Sequence, residues 1–212
     1  RYFQQKITDM ASEWPSYVAL LATRILNNVI LLPIEAESQD TALRIFSTLN
    51  DRGLPLADAD IFKSQFYKYF SSLGRKDEFI EHWKALEETA TDIFHPAGTP
   101  MDELFTRYMY YRRACKHIHS TTTQSLRDFF GQDSYKMLKS EESLSDLEVL
   151  LDFWKKVDRQ EGFSERVLRE LFVLNYAPNG MWTYLLSVWF LANHDEDGSC
   201  DEAALYDFLQ LI

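Results

Sequence analysis

A polar turn at residues 50–53 (Asn-Asp-Arg-Gly) carries the side chains best suited to bind an anion. It follows a predicted helix, and Gly53 lets the backbone reverse in a left-handed conformation. Arg52 at this helix end either neutralises the helix dipole or reaches toward an anion. Asp58 and Asp60 open the next predicted helix, where carboxylates are favoured. Helix capping alone also accounts for these residues, so the pattern leaves both interpretations open.

A second candidate is the predicted helix Met101–His119, which carries no acidic residue after Glu103. Its basic side chains are Arg107, Arg112, Arg113, Lys116 and His117, and tyrosines lie between them. Such a helix could contact phosphates, and helical spacing places Arg112, Lys116 and Tyr108 on one face. The alternative is a solvated face that pairs with acidic neighbours.

Two weaker patterns favour ordinary structure. Residues 193–198 begin like a calcium loop, but Ala204 stands where a bidentate glutamate is required. Ser199 and Glu202 there match a capping box, which predicts an acidic loop before a helix. The histidines do not reach the density of a metal site, and no phosphate-loop or catalytic-serine motif occurs. We therefore predict no catalytic residue and no metal site in this segment.

The elements that would hold these residues are mainly helical. A helix at Tyr17–Asn27 precedes a branched apolar run that predicts a strand at Val29–Glu35. Helical spacing then predicts a helix from Gln39 or Asp40 to Asn50. The next helix, from Asp58 to Leu73, is predicted to be capped by Asp58.

The remaining elements are all predicted to be helices: Asp77–Phe94, Met101–His119, Thr123–Phe130, Leu144–Arg159, Ser164–Tyr176, Met181–Asn193 and Asp201–Ile212. The fold class is therefore mainly α, an irregular helical bundle with one or two short strands near residues 28–37. Gly74 ends the best candidate linker. It either divides the chain into domains at 1–74 and 75–212 or is an ordinary connection between two helices.

The stretch RIFSTLNDRGLPLADADIFKS resembles the second signature of the ParB-like domain of GmrSD-type modification-dependent restriction and anti-phage proteins. The matching positions are Ile45, Phe46, Leu49, Asn50, Arg52, Gly53, Leu56, Asp60 and Lys63. The resemblance covers about residues 28–65. It implies that residues 1–74 form the C-terminal part of a ParB-like α+β domain and that 75–212 form a helical middle region. It also implies a nucleotide or nucleic-acid site that includes Asn50, Arg52, Gly53, Asp60 and Lys63.

Two motifs of the family do not occur here. Its first signature, Asp-Gly-Gln-Gln-Arg, is missing upstream, and nothing after residue 180 resembles its His-Asn-His nuclease domain. The chain starts at Arg1 and its last predicted helix stops at Ile212, so we expect an internal fragment. The resemblance implies a parent protein that cuts DNA or hydrolyses nucleotide, using a nucleoside triphosphate and a divalent metal. We expect no cofactor in this segment, and DNA as a partner only through the parent's missing domains.

Charge, cysteine and aromatic content limit the possible compartments and partners of the chain. The net charge of −11 is concentrated in residues 141–212, which carry 5 basic and 15 acidic side chains, so it says little about the rest. Cys115 and Cys200 are isolated, as expected in a reducing cytoplasm. Met181–Ala192 is apolar but shorter than the roughly 20 residues of a membrane span. The 5 tryptophans and 15 phenylalanines favour an alternative, a non-catalytic helical interaction module that could form a homo-oligomer.

Overall fold

The computed structural model describes residues 2–30, 35, 38, 41, 45, 57–94 and 99–212. The chain forms two compact units, one ending at residue 53 and the other beginning at residue 54. Secondary structure in the described ranges is helical, without a strand, so the predicted mainly α class is confirmed.

The first unit contains helices α1 (Tyr2–Glu13) and α2 (Pro15–Asn28), which contact each other. They part at Trp14 because Pro15 occupies the first turn of α2 and disfavours helical geometry in the residue before it. Helix α2 ends where Val29 takes an extended backbone (φ −91°, ψ 117°).

Two predicted elements lie mostly outside the described residues. Of the predicted strand Val29–Glu35, only Val29, Ile30 and Glu35 are described, and none of them is in a strand. The strand therefore stays a prediction. Of the predicted helix ending at Asn50, only Thr41 and Ile45 are described, and both are helical.

The second unit is a helical bundle. Its helices are α3 (Asp58–Ser72), α4 (Lys76–Ile93), α5 (Pro100–Cys115), α6 (Leu126–Phe130), α7 (Glu141–Arg159), α8 (Glu165–Leu174), α9 (Met181–Asn193) and α10 (Glu202–Leu209). Two short 3₁₀ turns, Gln132–Ser134 and Lys136–Leu138, connect α6 to α7. Helix α5 lies at the centre, in contact with α3, α4, α6, α7 and α9.

Helix α3 belongs to this bundle, whereas the sequence placed the domain boundary after it, at Gly74. The reason is the aromatic stripe of α3, whose Phe62, Phe66 and Phe70 are buried. The ring of Phe62 lies 4.8 Å from that of Phe105 on α5, and Phe70 stacks at 5.4 Å on Phe79 of α4. The first unit accordingly ends before α3 begins.

Several predicted helix ends are wrong. Helix α5 ends at Cys115, short of the predicted His119, because His117 has a positive φ of 52° that an α-helix does not accommodate. Helix α6 begins at Leu126 and not at the predicted Thr123. Ser125 is its N-cap, and the Ser125 side chain accepts the Asp128 amide hydrogen. Helix α7 begins earlier than predicted because Ser140 caps it.

The predicted capping box at Ser199 and Glu202 is also wrong. Asp201 caps α10 by accepting the amide hydrogens of Ala203 and Ala204. The Glu202 carboxylate accepts the backbone amide hydrogen of Ser164 instead, which ties the start of α8 to α10.

We expect Phe62→Ala to destabilise the second unit by about 3–5 kcal/mol, because it removes a fully buried ring between three helices. Phe172→Ala is the matched control, since that ring is 57% exposed, and its cost should stay within about 1 kcal/mol. Urea unfolding of the three proteins measures both changes. Equal losses for the two variants would show that Phe62 is not a core residue.

Candidate functional site

The start of helix α3 is held by side chains from two other helices. Ala57 occupies the N-cap position and has no side chain that can accept a hydrogen bond. Asp102 of α5 takes that role, since its Oδ1 accepts the Ala59 amide hydrogen at 2.8 Å. Asp58, which the sequence predicted as the cap, instead accepts a hydrogen bond at 3.0 Å from the Arg127 Nε of α6. We call Asp58, Asp102 and Arg127 the α3 anchor.

The α3 anchor concentrates negative charge at a helix N-terminus. Burial raises the pKa of Asp102, and the nearby charges of Asp58 and Asp60 raise it further. The hydrogen bond from the Ala59 amide opposes this rise because it stabilises the carboxylate. The positive end of the α3 dipole and the Arg127 guanidinium offset the repulsion among the carboxylates.

Asp60 and Lys63, two of the residues implied by the family resemblance, lie one turn apart on α3. Asp60 is exposed. The Lys63 ammonium is half-exposed and lies 3.0 and 3.1 Å from the two Glu87 carboxylate oxygens of α4. It also lies 5.7 Å from the centre of the Trp83 ring. The other three implied residues (Asn50, Arg52 and Gly53) lie outside the described residues.

The basic residues of α5 do not form one exposed face. Arg107 is 6% exposed, pairs with Glu103 at 3.0 Å and stacks 4.2 Å from the Trp154 ring. Burial lowers the pKa of this guanidinium. Arg113 is equally buried and donates a hydrogen bond to the Ser120 carbonyl oxygen at 2.7 Å. Both arginines thus serve the interior of the bundle.

Arg112 and Lys116 keep access to solvent. The Arg112 guanidinium lies 4.0 Å from carboxylate oxygens of both Glu142 and Asp146 on α7. Lys116 is exposed, with its ammonium 5.5 Å from the Phe129 ring. Tyr108, predicted on the same face, is instead fully buried. Phosphate contacts by this helix stay a prediction, which now rests on Arg112 and Lys116.

Tyr108 belongs to a buried polar network that joins α5 to α7. Its hydroxyl donates to the Asp146 carboxylate at 3.0 Å and lies 3.1 Å from the Ser143 hydroxyl. Burial raises the pKa of both Tyr108 and Asp146. The hydrogen bond from Tyr108 lowers the pKa of Asp146, but the effect of burial is larger. Sequence analysis missed this network because its partners come from separate helices with no local signal.

A second feature that the sequence did not predict is the pair His82 and Glu148, which joins α4 to α7. The His82 Nδ1 lies 2.6 Å from Glu148 Oε1. The pair lines two clefts, of about 150 and 170 Å³. The first cleft also contains Arg75, which pairs with Glu141 at 2.7 Å. Across the described ranges, no group of three or more histidine, cysteine or acidic residues could hold a metal ion.

No helix in the described part of the chain is long and apolar enough to cross a membrane. Comparison with family models, curated proteins and solved structures found no match to this chain.

The raised pKa of Asp146 means that the folded state binds its proton more tightly than the unfolded state. Protonation of Asp146 therefore stabilises the folded state relative to the unfolded state. This contribution to the unfolding free energy grows as the pH falls from above the folded pKa toward the unfolded pKa of about 3.9. We expect the difference in unfolding free energy between wild type and Asp146→Asn to shift in favour of wild type from about pH 7 to pH 4. The exposed Asp152→Asn controls for net charge, and a difference that is independent of pH would contradict the account.

Proposed function

We propose that this chain is a segment of a GmrSD-like restriction or anti-phage protein of the bacterial cytoplasm. It completes a ParB-like domain that binds nucleotide or DNA and links that domain to a nuclease domain elsewhere in the parent protein. The observation that carries the proposal is the sequence motif from Ile45 to Lys63, which matches the family signature at nine positions. Nucleoside triphosphate and a divalent metal are substrates or cofactors of the parent, which acts as a nuclease or nucleotide hydrolase.

Within this proposal, Asn50, Arg52 and Gly53 line the binding site, while Asp60 and Lys63 support it. The support role is in keeping with the contacts on α3. The charge of Lys63 is neutralised by Glu87 at 3.0 Å, so this ammonium is a poor candidate for the primary contact to a phosphate. Arg52 is the better candidate because a guanidinium can bind an anion through two parallel hydrogen bonds.

Electrostatics disfavours helix α5 as the place of phosphate contact. Arg112 faces Glu142 and Asp146, which belong to the acidic last third of the chain. These carboxylates cancel the attraction that Arg112 would exert on a polyanion. Lys116 alone then supplies too little charge for binding of nucleic acid by counterion release.

We expect Asn50→Ala and Arg52→Ala, made in the full-length parent, to lower nucleotide or DNA affinity by about tenfold or more. The reason is that a hydrogen bond to a charged group contributes about 1.5–3 kcal/mol. Arg169→Ala is the control, because Arg169 is an exposed arginine that pairs with Glu165 on α8. Unchanged affinity and activity in both motif variants, with the fold intact, would refute the proposed function.

A non-catalytic interaction module is the second candidate, and an uncharged surface supports it. Residues 171–193 contain no acidic or basic residue, although the last third of the chain is strongly charged. Phe172, Val173 and Tyr176 at the end of α8 are 57%, 58% and 75% exposed. Exposed apolar residues that lie together mark protein interfaces more often than single ones do.

Light scattering of the purified chain tests this second candidate. An interaction module that self-associates gives a mass above the monomer, and Phe172→Ser with Tyr176→Ser restores the monomer. Ile80→Ser, at another exposed apolar position on α4, is the control and should leave the mass unchanged. A monomeric wild-type chain at all concentrations would count against self-association.

A further inference from the structure

We propose that the groove between helices α4 and α7 is a docking site for a basic amphipathic helix of a partner protein. This inference is independent of the GmrSD-like role, and it concerns a surface other than the exposed apolar residues at the end of α8. The docked helix presents two long basic side chains, about two turns apart, to the groove.

The groove consists of the two clefts that meet at the pair His82 and Glu148. The first cleft lies between residues 75–82 and 141–148, and the second lies between residues 82–89 and 148–155. The two helices therefore run side by side in the same direction. Most of their lining residues recur every three or four positions, so they form one face of each helix. From residue 75 to residue 89, at 1.5 Å per residue, the groove is about 20 Å long.

Both clefts have an apolar floor. In the first cleft it consists of Phe70, Phe79 and Leu144, and in the second it consists of Leu86 and Leu151, all of them buried. At about 150 and 170 Å³, each cleft is smaller than the roughly 300–1,000 Å³ of a small-molecule site. Each cleft instead accommodates one long side chain of a macromolecule, whose apolar stem covers the floor while its charged end stays at the rim.

The rim of the groove is acidic. Its titratable groups are the carboxylates of Glu78, Glu141, Glu148 and Asp152, the cations Arg75 and Lys155, and His82. The two helices extend this charge, since α4 carries 6 acidic and 2 basic side chains and α7 carries 6 and 3. Such a field attracts a cationic partner and repels phosphates and acidic peptides. Charge complementarity therefore requires a basic partner.

Arg75 shows how this groove binds a guanidinium. Its Nε donates a hydrogen bond to Glu78 at 2.8 Å, and its Nη1 lies 2.7 Å from a Glu141 carboxylate oxygen. The same guanidinium lies 5.6 Å from the centre of the Phe70 ring. An arginine of the chain itself thus combines contacts to rim carboxylates with a contact to the apolar floor. We infer the same mode of binding for a basic side chain of the partner.

The carboxylates of the second cleft are open to exchange of partners. Glu148 contacts His82, and Asp152 pairs with Lys156 at 2.9 Å. The four side chains are 35–55% exposed, and ion pairs between such groups contribute little to stability. An incoming guanidinium can therefore compete for both carboxylates, which lie one turn apart on α7.

The spacing of the clefts defines the geometry of the partner. Their centres lie about seven residues apart along α4, which corresponds to about 10 Å. A helix that docks in a groove places its anchor side chains at this distance when they stand at positions i and i+7.

The test measures, by fluorescence anisotropy, the binding of a labelled amphipathic helical peptide to the purified chain. The peptide carries arginines at positions i and i+7 of a leucine-bearing face. We expect Ala85→Trp to weaken binding about tenfold, because the indole fills the second cleft from an exposed position and displaces one anchor. We expect Glu148→Gln with Asp152→Asn to weaken it about fivefold, because two partly exposed charge contacts are lost.

Matched controls separate the groove from the rest of the surface. Thr91→Trp adds an indole at an exposed position of α4 that lines neither cleft, and it should bind like wild type. Glu165→Gln with Glu196→Gln removes two exposed carboxylates elsewhere and should also bind like wild type. A peptide with glutamates in place of both arginines should not bind. In the wild-type chain, which needs no substitution to fold, the peptide should change amide chemical shifts at residues 75–89 and 141–155.

The proposal is wrong if Glu165→Gln with Glu196→Gln weakens binding as much as Glu148→Gln with Asp152→Asn, because the attraction then comes from the net charge of −11 alone. It is also wrong if the wild-type chain does not bind the arginine peptide. Chemical-shift changes at residues 172–176 in place of the groove would assign the peptide to the other apolar surface and overturn the proposal. The GmrSD-like role is tested separately, through Asn50 and Arg52.

Discussion

The second unit depends on the burial of helix α5. This helix presents Leu104, Phe105, Tyr108 and Met109 to its neighbours, all at most 2% exposed. Burial of so much apolar surface requires helices on almost every side, which α3, α4, α6, α7 and α9 provide. Aromatic rings fill the space between them because one large ring can contact several helices at once.

A helix buried on most sides must also satisfy its polar groups inside the bundle. Arg107 stacks on Trp154 and pairs with Glu103, while Tyr108 donates to Asp146. These contacts replace only part of the water that the groups lose on folding, since the buried Nε and Nη1 of Arg107 have no hydrogen-bond partner among the described residues. The first turn of α5 obeys the same constraint, since Asp102 there accepts the Ala59 amide of α3.

The buried faces of helices could be predicted from the sequence because they depend on local spacing. Helix caps and buried polar contacts could not, because their partners are distant along the chain. Helical spacing predicts that Phe79, Trp83, Leu86, Ala90 and Ile93 form the buried side of α4. The first four are buried, and Ile93 is half-buried. The cap of α3 could not be predicted, because Asp102 lies far along the chain and the nearer Asp58 looked sufficient. The arginines of α5 were equally ambiguous: tyrosines and arginines alternate there, so spacing alone did not show which guanidinium would meet Trp154. At the candidate site, the residue types came from the motif, and the anchoring contacts came only from the structure.

The most direct test of the central claim is the nucleotide sequence of the gene on both sides of this segment. The account predicts an open reading frame that continues upstream and encodes Asp-Gly-Gln-Gln-Arg, with a His-Asn-His pattern downstream as further support. An open reading frame without Asp-Gly-Gln-Gln-Arg would contradict the account, because residues 50–63 would then lack the opposite wall of their binding site. The motif would in that case be ordinary helix capping, and the interaction module would become the better explanation.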